Sequence, residues 1–406
     1  MRPFDGRRVL LGVTGGIACY KSVSVARLLT QAGAAVDVVL TRGAREFVGA
    51  ITFEAVTGRP VHGELLAAGH ALDHIRLARA ADAVVVAPAT ADFMARAAQG
   101  RADDLLTACL LATEAPVLVV PAMNDRMWAH PQTVRNAERL REIGYSVVEP
   151  EEGPLAVGEG SGPGRMPEPE DVVAHAGRLL DGRGPLAGRH VVVTAGPTRE
   201  ALDPVRFISN HSSGKMGVAL AAAAWRRGAD VTLVAGPLAV PAPRGVATVR
   251  VETTAEMCVA VEKALASADV LVMAAAPADF RPADVAPRKI KKSSAPDSVR
   301  LVPTDDILTA TAHRRRPSTV VVGFALETND VLAGARAKLA AKGLDLIVVN
   351  DATEPGAGFS VDTNRVTLLG ADGAEEALPL LAKSEVADAI LDRVERLAAA
   401  KRDGGR

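Results

Sequence analysis

Short apolar runs alternate with amphipathic stretches along most of the chain. Val9–Val13, Val36–Leu40, Ala83–Ala87 and Val117–Val120 are nearly continuous in Val, Leu and Ala, the mark of strands covered on both faces. Between the first two, Lys21–Ala32 has helical periodicity and stops at Gly33. The pattern breaks at "EEGPLAVGEGSGPGRMPEPE", Glu151–Glu170, where glycine and proline disfavour a stable core element; it reads as a linker or as a mobile lid over a site. A helix follows, then "DGRGPLAGRH", Asp181–His190, the expected domain boundary. Past it the grammar restarts, with strands at His190–Thr194, Val231–Ala235, Val270–Ala275, Thr319–Phe324 and Leu344–Val349 and a helix over Gly214–Arg227. Val361–Arg406 offers a short strand pair, a terminal helix and a polar tail that frays. The expectation is α/β: two doubly wound parallel-sheet domains, residues 1–183 and 189–406, each with its site at the carboxyl ends of its strands.

Composition narrows the class. The 406 residues are 48% hydrophobic and 23% charged, which suits a soluble globular protein. A formal net charge of −1 supplies no field to recruit nucleic acid or an anionic membrane, so neither is expected as a partner. Cys19, Cys109 and Cys258 are far apart and form no C-x-x-C pair, which points away from a disulfide framework or structural zinc. The opening "MRPFDGRRVLLGVTGG" has too short an apolar run for a signal peptide, and no stretch is long and clean enough to span a bilayer. A cytoplasmic enzyme is the expected class.

"LGVTGGIACYKS", Leu11–Ser22, is a strand, a glycine turn and a helix start. Amides at such a turn suit a phosphate, and a tight turn with no ligand fits the motif equally. It is not G-x-G-x-x-G, and with Lys21-Ser22 at the end of a P-loop, Tyr20 stands where that motif needs glycine. Thr41 puts a hydroxyl at the next strand end. "DHIRLARAAD" (Asp73–Asp82), "APATADFMARAAQGRADDLL" (Ala87–Leu106) and "PAMNDRMW" (Pro121–Trp128) converge on the same sheet edge. The last surrounds a lone amide, Asn124, with Met123, Met127 and one of two tryptophans, which reads as a pocket wall, since a plain turn would be polar. Taken singly, His74 fits a structural role as well as a catalytic one, and Asn124 fits a turn.

Together, "TGGIACYK", "DHIRLARAAD", "PATADFMARAAQGRADDLL" and "PAMNDRMW" resemble the flavin-dependent cysteine decarboxylases, a family of flavodoxin-like flavoproteins, over most of residues 8–130. The resemblance implies FMN, its phosphate on Gly15, Gly16, Ile17, Ala18 and Thr41, with Pro88, Ala89, Thr90, Asp92 and Met123 near the ring. It implies flavin oxidation of a cysteinyl thiol towards a thioaldehyde, loss of the adjacent carboxylate as carbon dioxide, and return of the hydride. His74 would be the base or proton shuttle. Asn124 would hold the departing carboxylate through its amide donors. One departure stands out: many relatives carry a proton-donating cysteine in the glycine-rich flap, and alignment on Gly162–Met166 puts Val157 there.

In the second half, Val193–Gly217 is rich in polar residues for a loop entering a helix. A P-loop fails, because Ser209 replaces the required glycine and Met216 the Ser or Thr. Ser212-Ser213-Gly214 leaves helix amides for an anion or for ordinary capping. Arg288, Lys289, Lys291 and Lys292 follow a strand end carrying Asp279; they read as a solvated loop or as cations for a triphosphate. Lys338 and Lys342 share a helical face, and His313–Arg316 reads as a solvated helix end.

"DPVRFISNHSSGKMG", "PADFRPADVAPRKIKK", "GFALET" and "LDLIVVND" resemble the phosphopantothenate–cysteine ligases over nearly the whole second half. The domain order resembles the bifunctional bacterial coenzyme A enzymes, a flavodoxin-like decarboxylase followed by a Rossmann-like ligase. The resemblance implies 4'-phosphopantothenate, cysteine and CTP as substrates, an acyl-cytidylate intermediate, and Mg2+ with the nucleotide phosphates. Asn210 would hold the acyl-cytidylate and Lys289 would steady phosphate charge. Ala274, Ala275, Ala276, Asp279, Lys289, Asp305, Asp306, Ile307, Leu308, Phe324, Lys338 and Lys342 would form the CTP site, although the family's Asn-Pro-Asp-Ile reads Thr-Asp-Asp-Ile over Thr304–Ile307. Trimeric contacts among flavin domains and dimeric contacts among ligase domains are implied too. Three other readings compete: an active ligase with a weak flavin half, a non-enzymatic regulator, and a decarboxylase of peptide C-terminal cysteines. Intact Asn210 and Lys289 oppose the second, and residues 190–350 are unexplained by the third.

Overall fold

The computed structural model describes residues 4–66, 71–154, 158, 160–291, 298–327, 331–351 and 361–403. The chain divides into two compact units, Arg2–Asp181 and Gly182–Arg406. No helix of the described residues is long and apolar enough to cross a membrane.

The first unit is a flavodoxin-like, three-layer α/β body. Its six-stranded sheet runs Val61–His62, Ala35–Leu40, Arg8–Val13, Ala83–Ala89, Val117–Pro121, Ser146–Val147. Every neighbouring pair is parallel. Val9, Leu11, Val36, Val38, Val84 and Val119 are all at most 1% exposed, so both faces of the sheet are covered and strict alternation is absent. One face packs on the Cys19–Gln31 and Pro169–Asp181 helices, the other on Ala91–Ala98 and Leu105–Ala112. The chain reverses its direction of travel between Arg8–Val13 and Ala83–Ala89, which opens a crevice at their carboxyl ends.

Glu151–Glu170 is neither a bare linker nor free of structure. Glu151–Pro154 and Ser161–Arg165 pair antiparallel, and the next helix begins at Pro169. The glycines that looked like breakers serve close approach: a Cβ on Gly164 would sit 2.2 Å from the Met123 carbonyl oxygen. Lys21, 5% exposed, donates to Met166 O at 2.8 Å and pairs with Glu168 at 3.1 Å, fastening the base of this hairpin to the helix behind the glycine turn.

The second unit has an eight-stranded sheet ordered Ala247–Arg250, Asp230–Ala235, His190–Ala195, Val270–Met273, Val320–Glu327, Leu346–Asp351, Val366–Gly370, Glu375–Ala377. The first six are parallel and the last two antiparallel, so the expected terminal strand pair extends the main sheet. The Lys383–Asp403 helix is fixed to Lys215–Arg226 by charge: Asp388, 5% exposed, accepts from Arg226 and from Arg227, which also pairs with Asp392 at 2.7 Å. His313–Arg316 corrects the expectation of a solvated helix end. His313 is exposed, but Arg315 is half-buried and donates to the Leu308 and Lys342 carbonyls, and Arg316 donates to Ala268 O at 2.7 Å. Backbone carbonyls at the ends of neighbouring elements draw the guanidinium groups in.

In the first unit Asp37, 4% exposed, lies between Arg8 and Arg59, the latter at 2.9 Å. Burial works against its ionisation, but the two guanidinium groups outweigh it and hold the carboxyl below its ordinary value. Asp37→Asn should cost about 2 kcal/mol, less than for a wholly buried pair because both arginines are partly exposed. The contribution of Asp37 is complete above the ordinary aspartate value of about 3.9 and is lost as pH falls through the depressed folded value. In a Trp225→Phe background, Trp128 fluorescence follows this unit alone during denaturation. Equal midpoints for the two chains at neutral pH would reject the assignment.

Candidate active sites

In the first unit the strand ends are wired together at the crevice. Thr14 donates through its hydroxyl to Pro88 O at 2.8 Å and accepts from the Thr90 amide at 3.0 Å, while the Thr41 amide donates to Val13 O at 3.1 Å. Gly15 packs against Gly43, whose Cα a Cβ on Gly15 would meet at 2.8 Å, so the first and second strand-end loops touch. The amides of Gly15, Gly16, Ile17 and Ala18 donate to no acceptor among the described residues. Four successive free amides at a helix start are the donor set that a phosphate monoester needs, and this cradle fits the phosphate of a flavin nucleotide. Thr41 and Thr90 each cap a helix with their hydroxyls. Pro88 and Ala89 are buried, and Asp92 is an exposed partner of Arg96 at 3.0 Å.

The loop after Val117–Pro121 is held from two sides. The Ala122 amide donates to Ala89 O at 3.1 Å and the Met123 amide to Gly164 O at 2.9 Å, so the Ser161–Arg165 strand lies along this loop. Asn124 caps the Asp125–Ala129 helix, its Oδ1 accepting from the Arg126 amide at 2.9 Å. That use of the oxygen leaves the two amide hydrogens for a ligand, so cap and hook are one geometry. Met123 and Trp128 pack partly buried on the core, while Met127 is 49% exposed and does not wall a pocket within this unit. His74 begins the Asp73–Ala80 helix, which runs back against the sheet and so starts at the carboxyl edge. It is half-buried, and its Nδ1 is buried without a hydrogen-bond partner, an orphan that a ligand or proton carrier would satisfy. Val157 lies outside the described residues.

In the second unit the strand ends surround a cavity of about 640 Å³. Ala274, Ala275, Ala276, Asp279, Asp305, Asp306, Ile307, Leu308, Phe324, Lys338 and Lys342 all line it, together with Asn210. Lys289 does not. It is exposed, on a stretch pinned to the side of the unit where the Ile290 amide donates to Asp203 at 3.1 Å and Arg206 to Ile290 O at 2.7 Å. Burial opposes ionisation of Asp203, but Arg206 and the amides of Val205 and Ile290 outweigh it and hold the carboxyl well below its usual range.

Buried hydroxyls set the cavity floor. Thr194 accepts from the Ala275 amide at 3.0 Å and Thr198 from the Ala278 amide at 2.9 Å; Thr198 also bonds Thr254, whose amide donates to buried Glu200 at 2.8 Å. Thr304, the departure from the family's asparagine, donates to Ala278 O at 2.6 Å and through its amide to Asp279 O at 2.9 Å. The substitution therefore keeps the two loops joined. Asn210 Nδ2 donates to Pro277 O at 2.9 Å, which leaves its oxygen for a ligand.

Charge lies at two ends of this cavity. Lys342 pairs with Asp306, which also caps the Ile307–Ala310 helix; burial works against ionisation of Asp306, but Lys342 and the Thr309 amide outweigh it and keep the carboxyl below its ordinary value. Lys338 donates to Phe324 O at 3.2 Å. Sequence reasoning missed the other end, formed by Lys215, Asn350, Asn364 and Lys383. Lys215 pairs with Asp362 at 2.7 Å, and Lys383, 7% exposed, donates to Val361 O at 2.6 Å. Burial and the charge of Lys215 pull the Lys383 value down. Asn350 has a buried Oδ1 without a partner. Its place at the carboxyl end of Leu346–Asp351 was the available signal.

Residues 186–397 match the family described as the DNA/pantothenate metabolism flavoprotein C-terminal domain, and residues 2–180 match the flavoprotein family. The coenzyme A biosynthesis bifunctional protein CoaBC of Mycobacterium tuberculosis is 50% identical over 403 residues, spanning 96% of each chain. CoaBC of Vibrio cholerae is 46% identical over 395 residues, spanning 96% of this chain and 98% of its own. That of Bacillus subtilis is 44% identical over 398 residues, spanning 97% and 98%. With a flavoprotein half, a ligase-type half and relatives matched from end to end, the chain belongs to the CoaBC family of bifunctional coenzyme A biosynthesis proteins.

Proposed function

We propose that the second unit joins cysteine to 4'-phosphopantothenate at the expense of CTP, and that the first unit decarboxylates the product to 4'-phosphopantetheine. The observation that carries this reading is the 640 Å³ cavity, which gathers Asn210 and eleven of the twelve residues expected for a nucleotide site from five separate segments. A carboxylate resists an amine because its leaving group would be oxide; transfer to CTP gives an acyl-cytidylate and pyrophosphate, and the cysteine amine then displaces CMP. In this reading Lys338 and Lys342 meet the nucleotide, Lys215 and Lys383 supply further positive charge for phosphates, and the free Oδ1 of Asn210 orients the attacking amine. Mg2+ accompanies the nucleotide phosphates. Lys289 lies outside the cavity lining, on a face with exposed Val205, Phe207, Phe280 and Leu301. A homodimer through this face would cover the apolar side chains and bring Lys289 to a partner's site.

In the first unit, FMN would supply the two-electron oxidation of the cysteinyl thiol that makes the neighbouring carboxylate easy to lose. The Gly15–Ala18 amides would hold its phosphate. Asn124 would donate its two amide hydrogens to the departing carboxylate, and His74 would take and return the proton through its buried, unpartnered Nδ1. Flavin domains of this family are expected to meet as trimers, and exposed Ile17, Tyr20, Phe47 and Ile51 beside the glycine turn give such contacts apolar surface. A second reading keeps the ligase and weakens the decarboxylase. Its basis is the missing flap cysteine, which neither other cysteine of this unit replaces: Cys19 and Cys109 are both 0% exposed, and burial, with Asp104 and Asp73, pushes the Cys109 thiol up to about 12.

The test is to record the visible spectrum of the purified chain, then supply phosphopantothenate, cysteine and CTP while following pyrophosphate and carbon dioxide. Both products are expected from a yellow protein. Pyrophosphate alone favours the second reading, and neither product rejects both. His74→Asn should keep the flavin spectrum and the ligase rate while carbon dioxide release falls at least about a hundredfold; retained release removes His74 from the chemistry. Asn210→Asp should lower amide formation by about a hundredfold or more, with acyl-cytidylate accumulating. Normal ligation in that variant would refute the role given to Asn210.

A further inference from the structure

Arg315 touches no expected ligand, yet it closes a ring of contacts behind the cavity. Its guanidinium donates to the Leu308 carbonyl, within Ile307–Ala310, and at 2.9 Å to the Lys342 carbonyl, just past the Val331–Ala341 helix. Lys342 in turn reaches back through its ammonium to Asp306, two residues before Leu308. The nucleotide loop and the lysine-bearing helix are thus tied twice, once by the Lys342–Asp306 ion pair and once by Arg315. The first tie can be exchanged, because an arriving phosphate offers the same ammonium a second charged acceptor beside Asp306. The second tie is kept from an arriving anion because Arg315 does not line the cavity. The Arg315 Nε is buried with no partner, a desolvation penalty the fold carries only if both carbonyls need this fork.

Building on the ligase reading, we propose that Arg315 is a positioning residue for nucleotide binding: it keeps Asp305–Leu308 and Lys338–Lys342 at one spacing while Lys342 moves from Asp306 to a phosphate. A role in folding alone would lower stability and disturb all substrates alike. A spacing role acts on the nucleotide.

The experiment uses the full chain with Arg315→Gln and Arg315→Lys, measuring KM for CTP, phosphopantothenate and cysteine by pyrophosphate release, with Tm as control. For Arg315→Gln, the KM for CTP should rise about tenfold while the other two stay within about twofold. Arg315→Lys, able to serve one carbonyl at a time, should fall between. An unchanged KM for CTP, or equal rises in all three, overturns the proposal. Where Arg315→Gln does not fold, the lysine variant decides by the same criterion. A wild-type chain that makes no pyrophosphate refutes the ligase reading instead, and calorimetric titration with CTP then decides: weaker binding to the variants upholds the spacing role, equal binding refutes it.

Discussion

Both units depend on backbone meeting backbone at distances that no side chain survives. In the second unit the Lys215–Arg226 helix lies so close to the His190–Ala195 strand that a Cβ on Gly217 would stand 2.7 Å from the Thr194 carbonyl oxygen. That contact brings the helix start to the strand ends, where the cavity opens. In the first unit the flap strand rests on the Met123 carbonyl at Gly164, and the first two strand-end loops touch at Gly15 and Gly43. Remove these approaches and the loops separate by about the width of a methyl group, enough to spoil a geometry that catalysis needs within fractions of an ångström.

Once the loops are close, hydroxyls hold them in register. A parallel sheet leaves the loops at its carboxyl edge without ladder partners, and their amides and carbonyls must be satisfied in some other way. Thr14 does this in the first unit; Thr194, Thr198, Thr254 and Thr304 do it in the second. Threonine suits the task, being compact, stiff at χ1 and both donor and acceptor. The departure at Thr304 is informative here. The position must hold the Ala278 carbonyl, and a hydroxyl serves.

The strands and their order of appearance were legible because a covered parallel strand is written in consecutive apolar residues, as in Ala83–Ala87 and Val117–Val120. The residues expected for a nucleotide site came from motifs that mark strand ends, and eleven of those twelve line one cavity. The hairpin at Glu151–Arg165 was not, because its glycines serve a partner loop about 40 residues earlier, and composition cannot see a long-range contact. Lys383 and Arg315 escaped for a related reason. A lysine or arginine in a polar stretch is usually solvated, and only the fold reveals which one meets a backbone carbonyl.

The lysines of the cavity show why that distinction matters for function. Lys342 is held by Asp306 and Lys215 by Asp362, so their ammonium groups are in place before any anion arrives. Preorganisation lowers the entropic cost of binding, but the carboxylates must then be displaced or shared, so the net gain from a phosphate is smaller than the number of cations suggests. A site built this way favours a polyanion that engages several lysines together over an isolated monoanion that must break each pair alone. A triphosphate, the ligand proposed for this cavity, would satisfy that condition. The same pairing that resists capture of a lone anion thus selects for a ligand that meets several lysines together.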